Sequence, residues 1–190
     1  MKTKFVLLFF FMGIAGSFAQ TMESLKARAE KMYAATYAMD LKTVLDLTYP
    51  KIFEIVDRET LETAMAGIFE NEDMSISFTK EKTKFTYSDI KQIDGKKFNV
   101  IKYRSGMRMS LKEALDDEYI GIMSDGLKES GQFDTVTYDK ATNSFLIEGD
   151  SILIAVADSS TKNEWTFVNY DNNELFKMVF DDKIKTALGL

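Results

Sequence analysis

The chain has 190 residues, 24 basic against 30 acidic side chains, a net charge of −6, no histidine and no cysteine. An acidic balance of this kind opposes phosphate backbones, so no nucleic acid is expected as a partner. The missing thiol and imidazole exclude disulfides, a lipid-modified cysteine, Cys/His zinc sites and every nucleophilic mechanism that depends on an imidazole base.

The first element is a leader. Met1-Lys-Thr-Lys4 precedes the apolar run from Phe5 to Gly16, and small residues occupy both flanks of Phe18 in Ser17-Phe18-Ala19. This is the pattern of a secretory signal peptide spanning 1–19, cleaved after Ala19. A spanning helix needs about 20 apolar residues, and this run meets Gly13 and Gly16 before that length. The expectation is an exported protein, periplasmic or secreted, not a lipoprotein, with no membrane span after cleavage. Removing 19 of 190 residues leaves 171, a normal length for a single α+β domain over 20–190. Lys2 and Lys4 leave with the leader, so 22 basic against 30 acidic residues give a net charge of −8.

Helical spacing follows from Met22 to Met39, with Leu25, Ala29, Met32, Tyr33, Thr36 and Tyr37 along one face. Asp40 caps a continuation through Leu41, Val44 and Leu45. Pro50, the only proline, denies Tyr49 helical angles and suits the first turn of a short new helix carrying Ile52, Phe53 and Val56. Asp57 caps a further helix with a stripe of Leu61, Ala64, Met65, Ile68 and Phe69.

The period then changes to two. Met74, Ile76 and Phe78 alternate with polar residues, and Phe85-Thr-Tyr87 begins a second such run. Asp94-Gly95 between Ile90–Ile93 and Phe98–Tyr103 is a two-residue hairpin signal. Ser105-Gly106 predicts either a turn or a bulge before Met107, Met109 and Leu111. Ser110-Leu-Lys-Glu113 reads as a capping box that opens a helix near 111–130, with Leu115, Tyr119, Ile122, Met123 and Leu127 ending at Gly131. Strands are expected at 133–138, 144–148, 151–158 and 164–170. Ile152 to Ala157 is apolar on both faces, as a central strand covered on each side requires. Asn172 or Asn173 opens a C-terminal helix with Leu175, Val179 and Ile184, broken at Asp181-Asp182.

Helices first, then antiparallel strands ending near Trp165, resemble the nuclear transport factor 2-like (cystatin-like) fold over most of 21–170. That resemblance implies N-terminal helices packed on a curved antiparallel sheet, a cone, here with an extra helix near 111–130 and a C-terminal one. The Lys- and Asn-rich strands and the Ala19-Gln20 cleavage site are also similar to small exported proteins of Bacteroidetes. Members of the fold class include isomerases, dehydratases and non-catalytic binding modules, so the fold leaves function open.

No motif assigns a catalytic residue, a metal or a cofactor. Ser77-Phe-Thr-Lys80 and Ser159-Ser-Thr-Lys162 match Ser-x-x-Lys, but that pairing needs the first turn of a helix, and these fall in a strand and a turn. Asn71-Glu-Asp73, Asp116-Asp-Glu118 and Asp171-Asn-Asn-Glu174 lack the alternating ligands and glycine of a calcium loop, and read as turn, solvated helix face and helix cap. Tyr33, Tyr37, Tyr87, Tyr103, Asp89, Asp116 and Asp117 are the groups a carboxylate and tyrosine isomerase, lyase or hydrolase would draw on. For binding, Tyr103, Met107, Met109, Trp165 and Phe167 are the candidates, since strands facing the helices would turn them inward and such side chains suit an apolar ligand. The leading expectation is an exported, non-catalytic module that binds a small apolar ligand or a protein partner. The alternatives are the enzyme just described and a structural protein that forms a homodimer.

Overall fold

A computed structural model describes residues 21–170 and 174–190. Residues 1–20, where a leader is expected, and the Asp171 to Asn173 segment, where the start of the last helix and its cap are expected, lie outside the described residues.

Helix α1, Met22–Tyr37, opens on a reciprocal cap in which Ser24 N–H donates to Thr21 Oγ1 at 3.2 Å and Thr21 N–H donates to Ser24 Oγ at 3.1 Å. Asp40 caps α2, Leu41–Leu47, by accepting from Thr43 N–H, and Asp57 caps α3, Arg58–Phe69, by accepting from Thr60 N–H. Between them Pro50 stands at the first position of a 3-10 turn, Pro50–Glu54, with Tyr49 extended before it. The predicted corner is therefore present. The stripe on α3 is not a core face: Leu61, Met65 and Phe69 are half-buried, Ala64 is exposed and Ile68 is 56% exposed. Helical spacing reports which residues share a face, not whether a sheet covers it.

All ladders of the seven-stranded sheet are antiparallel, so the fold is α+β, as expected. The strands are β1 Met74–Phe78, β2 Thr86–Tyr87, β3 Lys91–Ile93, β4 Lys96–Leu111, β5 Thr135–Asp139, β6 Ser144–Ala157 and β7 Thr166–Asn169. Strands β4 and β6 form its spine, flanked by β1 and β5 in one half and by β2, β3 and β7 in the other. The β3–β4 hairpin turns at Asp94 (φ 49°) and Gly95 (φ 76°), the two positive values that a type I′ turn requires.

Three expectations on this spine are corrected. The register runs without a slip from Lys97↔Ala157 to Ser110↔Ser144, so Ser105-Gly106 makes neither turn nor bulge. For the same reason the strands predicted at 144–148 and 151–158 are one strand, and Gly149 stays in the ladder opposite Ser105. Ser110 does not cap a helix, because its backbone is held between Ser75 and Ser144. Helix α4 is Asp117–Glu129, with Asp116 accepting from Tyr119 N–H at 2.9 Å, and it ends before Gly131 at φ 71°. The C-terminal break occurs as predicted: α5 is Glu174–Val179, and Asp181 caps α6, Asp182–Leu188.

Alternation along β4 and β6 divides the core between two faces. On one face Ile101, Leu153, Ala155, Trp165 and Phe167 pack beneath Leu25 and Ala29 of α1. Farther along that face Met109, Phe145 and Ile147 pack beneath Ile120, Met123 and Leu127 of α4. On the opposite face Phe98, Val100, Ile154, Val156 and Val168 meet Tyr49 and Ile52 of the 3-10 turn, Phe176 of α5, Phe180, and Ile184 and Leu188 of α6. Ile152–Ala157 is thus a central strand covered on both sides, as its sequence demanded. Among the described residues no helix is long and apolar enough to cross a membrane.

Candidate functional site

Strand β1 stops pairing with β4 at Phe78↔Met107, and β2 starts at Thr86↔Lys102. Residues 79–85 therefore arch along the β4 edge opposite residues 103–106, and the last turns of α1 lie across from the arch. Between them is a cleft of about 570 Å³ lined by Glu30, Tyr33, Ala34 and Tyr37 from the helix and Glu81, Lys82, Thr83 and Phe85 from the arch. Small-molecule sites have volumes of roughly 300–1,000 Å³.

The arch is pinned at several points. Thr79 N–H donates to the Gly106 carbonyl at 2.9 Å, Tyr33 O–H to the Lys80 carbonyl at 2.7 Å, and Thr83 Oγ1 to the Arg104 carbonyl at 2.8 Å. Lys80 Nζ also pairs with Glu148 at 3.0 Å. Gly106 allows the close crossing, since a Cβ there would stand 2.7 Å from Thr79 Oγ1. Each wall is thus fixed before any ligand arrives.

Three aromatic side chains line it, Tyr33, Tyr37 and Phe85, and two of them belong to a larger ring cluster. The rings of Tyr33, Phe85 and Tyr103 form a triangle with centroids 5.6 Å apart on every side, each pair edge-on, and Tyr87 joins at 5.9 Å from Phe85. Such contacts contribute about 0.5–1.5 kcal/mol each beyond the area they bury. Burial, reinforced by neighbouring Tyr37, raises the Tyr33 phenol above its ordinary range; burial, with Glu30 nearby, does the same for Tyr87. Both stay protonated at neutral pH. Glu30, Glu81 and Lys82 make no ion pair among the described residues, and the Tyr37 hydroxyl has no hydrogen-bond partner among them.

The five residues singled out for binding fall into two groups. Trp165 and Phe167 are fully buried in the cluster under α1, and Tyr103 packs at its edge, where its ring supports Tyr33 and Phe85 of the cleft without lining it. Met109 is buried and Met107 half-buried in the separate cluster under α4. So the structure joins Tyr103, Trp165 and Phe167 but does not bring the two methionines to them. Sequence reasoning named Tyr33 and Tyr37 as available phenols and missed Glu30, Ala34, Glu81, Lys82, Thr83 and Phe85 as partners. The available signal was the i, i+4 pair Tyr33/Tyr37 around a small Ala34; residues 79–85 carry no period to place them.

A carboxylate and tyrosine enzyme needs a buried acid within reach of a tyrosine hydroxyl inside a cavity. A buried pair exists elsewhere: Tyr49 O–H donates to Asp158 Oδ2 at 2.7 Å. The other carboxylate oxygen accepts from Ser160 N–H, Ser160 Oγ and Thr161 N–H. Burial alone raises the Asp158 carboxyl, but the hydrogen bonds from Ser160, Tyr49 and the turn backbone outweigh it and leave it lowered. Burial, then the adjacent Asp158 carboxylate, pushes Tyr49 above the phenol range. One carboxylate oxygen thus caps the turn Ser159–Thr161, the other is taken by Tyr49, and neither residue lines the cleft. Asp116 is spent on capping α4, Asp117 pairs with Lys140, and Asp89 is exposed.

The Ser-x-x-Lys matches lie where predicted, Ser77 in β1 and Ser159 in the short 3-10 turn. Lys80 is paired with Glu148, and Lys162 is in the left-handed region at φ 53°, so neither match has the first helical turn its chemistry needs. No group of three or more acidic side chains among the described residues is arranged to hold a metal ion. Compared with family models, curated proteins and solved structures, the chain has no match in any of the three.

Proposed function

We propose that this chain is an exported, non-catalytic module that holds a small, largely apolar ligand in the cleft between α1 and residues 79–85. The observation that carries the reading is the pinned, aromatic-lined cleft of about 570 Å³. The charged leader pattern of Lys2 to Ala19 supports export. The order of helices before a long antiparallel sheet, with α1 laid over one face, supports the cone of the nuclear transport factor 2-like fold as its frame.

The test is expression of the full chain in a Gram-negative host, followed by native mass spectrometry of the periplasmic and medium fractions. The expected species begins at Gln20 and carries a small added mass that Tyr33→Ala removes. A protein retained in the cytoplasm with residues 1–19 attached would end the export reading. A bare polypeptide mass in the wild type, with no ligand from a library of small amphiphiles raising its melting temperature, would end the binding reading. A doubled mass that persists on dilution would favour the homodimer instead.

A further inference from the structure

The cleft's lining has a sign as well as a shape. We propose, building on the binding reading above, that its ligand is an organic cation: an ammonium group on an apolar or aromatic body. Three features of the lining converge on this. Glu30 and Glu81 face one another's elements across the cleft, and neither carboxylate is committed to an ion pair among the described residues.

The helical wall is the C-terminal part of α1, the end where the helix carries about half a negative elementary charge, and its last turn holds no basic residue. Third, Tyr33, Tyr37 and Phe85 present aromatic rings to the same space, and ring faces attract cations through their quadrupole. The chain already uses this attraction nearby: Lys26 Nζ lies 5.7 Å from the centroid of Tyr87, the next ring beyond Phe85. Lys82 is the one opposing charge in the lining. Two carboxylates against one ammonium give the lining a formal charge of −1.

Three probes that share a phenylethyl group separate the possibilities: trimethyl(2-phenylethyl)ammonium, 2-phenylethanol and 3-phenylpropionate, each titrated into the ¹⁵N-labelled protein while amide shifts of residues 30–37 and 81–85 are followed. The expected result is binding of the cation at least about tenfold tighter than the alcohol, weakening with salt, and no saturable binding of the propionate. Combining Glu30→Gln with Glu81→Gln should weaken the cation about fivefold to tenfold and shrink its preference over the alcohol by a similar factor, with amide shifts outside residues 30–37 and 81–85 unchanged to show that the fold is intact. Lys82→Gln should tighten the cation about twofold. If the alcohol binds as tightly as the cation, the charge preference is wrong and the binding reading stands. If the propionate binds best, Lys82 governs the site and the preference is reversed. If no probe moves residues 30–37 or 81–85, both readings fall together.

Discussion

Strands β4 and β6 run through two halves of the molecule that are built differently. In one half, residues 98–101 and 153–156 are buried on both faces, under α1 on one side and under the 3-10 turn, α5 and α6 on the other. In the other half, Met109, Phe145 and Ile147 face α4, while Ser77, Arg104, Arg108, Glu148 and Thr137 make the reverse face polar and partly open. The same two strands therefore change from continuous apolar sequence to a mostly alternating one midway, interrupted at Leu146, with no break in register. Pattern along a strand reports what covers it, and a change of pattern marks a change of cover rather than an end of the strand.

Truncation should expose that asymmetry most strongly. Phe98 is fully buried and stands edge-on to Phe180 at 5.3 Å, so Phe98→Ala should cost about 4 kcal/mol in urea unfolding. Thr137→Ala, on the open face of β5, should change stability by no more than about 0.5 kcal/mol. Comparable costs at the two positions would mean that the open face is covered in solution, and the comparison of halves would fail.

At the boundary between the halves two glycines admit close crossings, and they differ in what crosses. A Cβ on Gly149 would lie 2.1 Å from the backbone carbonyl oxygen of Gln132, whereas one on Gly106 meets the ends of the Thr79 and Lys80 side chains. Backbone cannot yield as a lysine chain can. Gly149→Ala should therefore cost about 3 kcal/mol, and Gly106→Ala about 1 kcal/mol or less, with the larger shift in the amides of residues 79–85 belonging to the second. Equal costs would show that the connector before β5 is free to move.

The sequence disclosed the doubly covered half better than the other. Ile152 to Ala157 identified itself, because only a strand covered on both faces tolerates unbroken apolar residues. Caps at Asp40 and Asp57, the break at Asp181-Asp182 and the Asp94-Gly95 turn were legible because each is decided within four residues. What stayed hidden depends on distant partners. Ser110-x-x-Glu113 has the local chemistry of a cap, yet two strands from either side claim its backbone. Gly149-Asp150 has the chemistry of a turn, but the ladder to Ser105 and Arg104 runs straight through it. The cleft was the least legible part: Tyr33 and Tyr103 were visible as phenols, and nothing local places Phe85 between them.

A smaller effect belongs to the buried staple of the covered half. Asp158→Ala removes the cap of the 159–161 turn and leaves the Tyr49 hydroxyl without its acceptor, for an expected loss of about 2.5 kcal/mol; Tyr49→Phe should lose about 1.5 kcal/mol. Because the folded carboxyl is lowered, this stability is present above the ordinary aspartate value near about 4 and is lost as pH falls through the lower folded value. Wild-type protein should therefore lose stability below about pH 4 more steeply than Asp158→Asn. Parallel curves for the two would show that the carboxylate is not what holds the turn.

The smallest effect is expected on the open face, where Arg104 bonds Asp134 at 2.7 and 2.5 Å and Glu148 at 3.2 Å, and stands 3.6 Å from Asp150. The hydrogen bonds from Arg104, and then from Thr135, hold the Asp134 carboxyl down to about 2. All these groups keep contact with water, so Coulomb attraction is weak, salt screens it, and ordering the long side chains offsets part of it. Arg104→Gln should thus raise the Asp134 carboxyl toward its ordinary value in an NMR titration while hardly moving the unfolding midpoint, and 1 M salt should erase what difference remains. A large loss of stability that survives high salt would mean the network is structural cement, and that the half without a second helical layer is held by charge where its counterpart is held by burial.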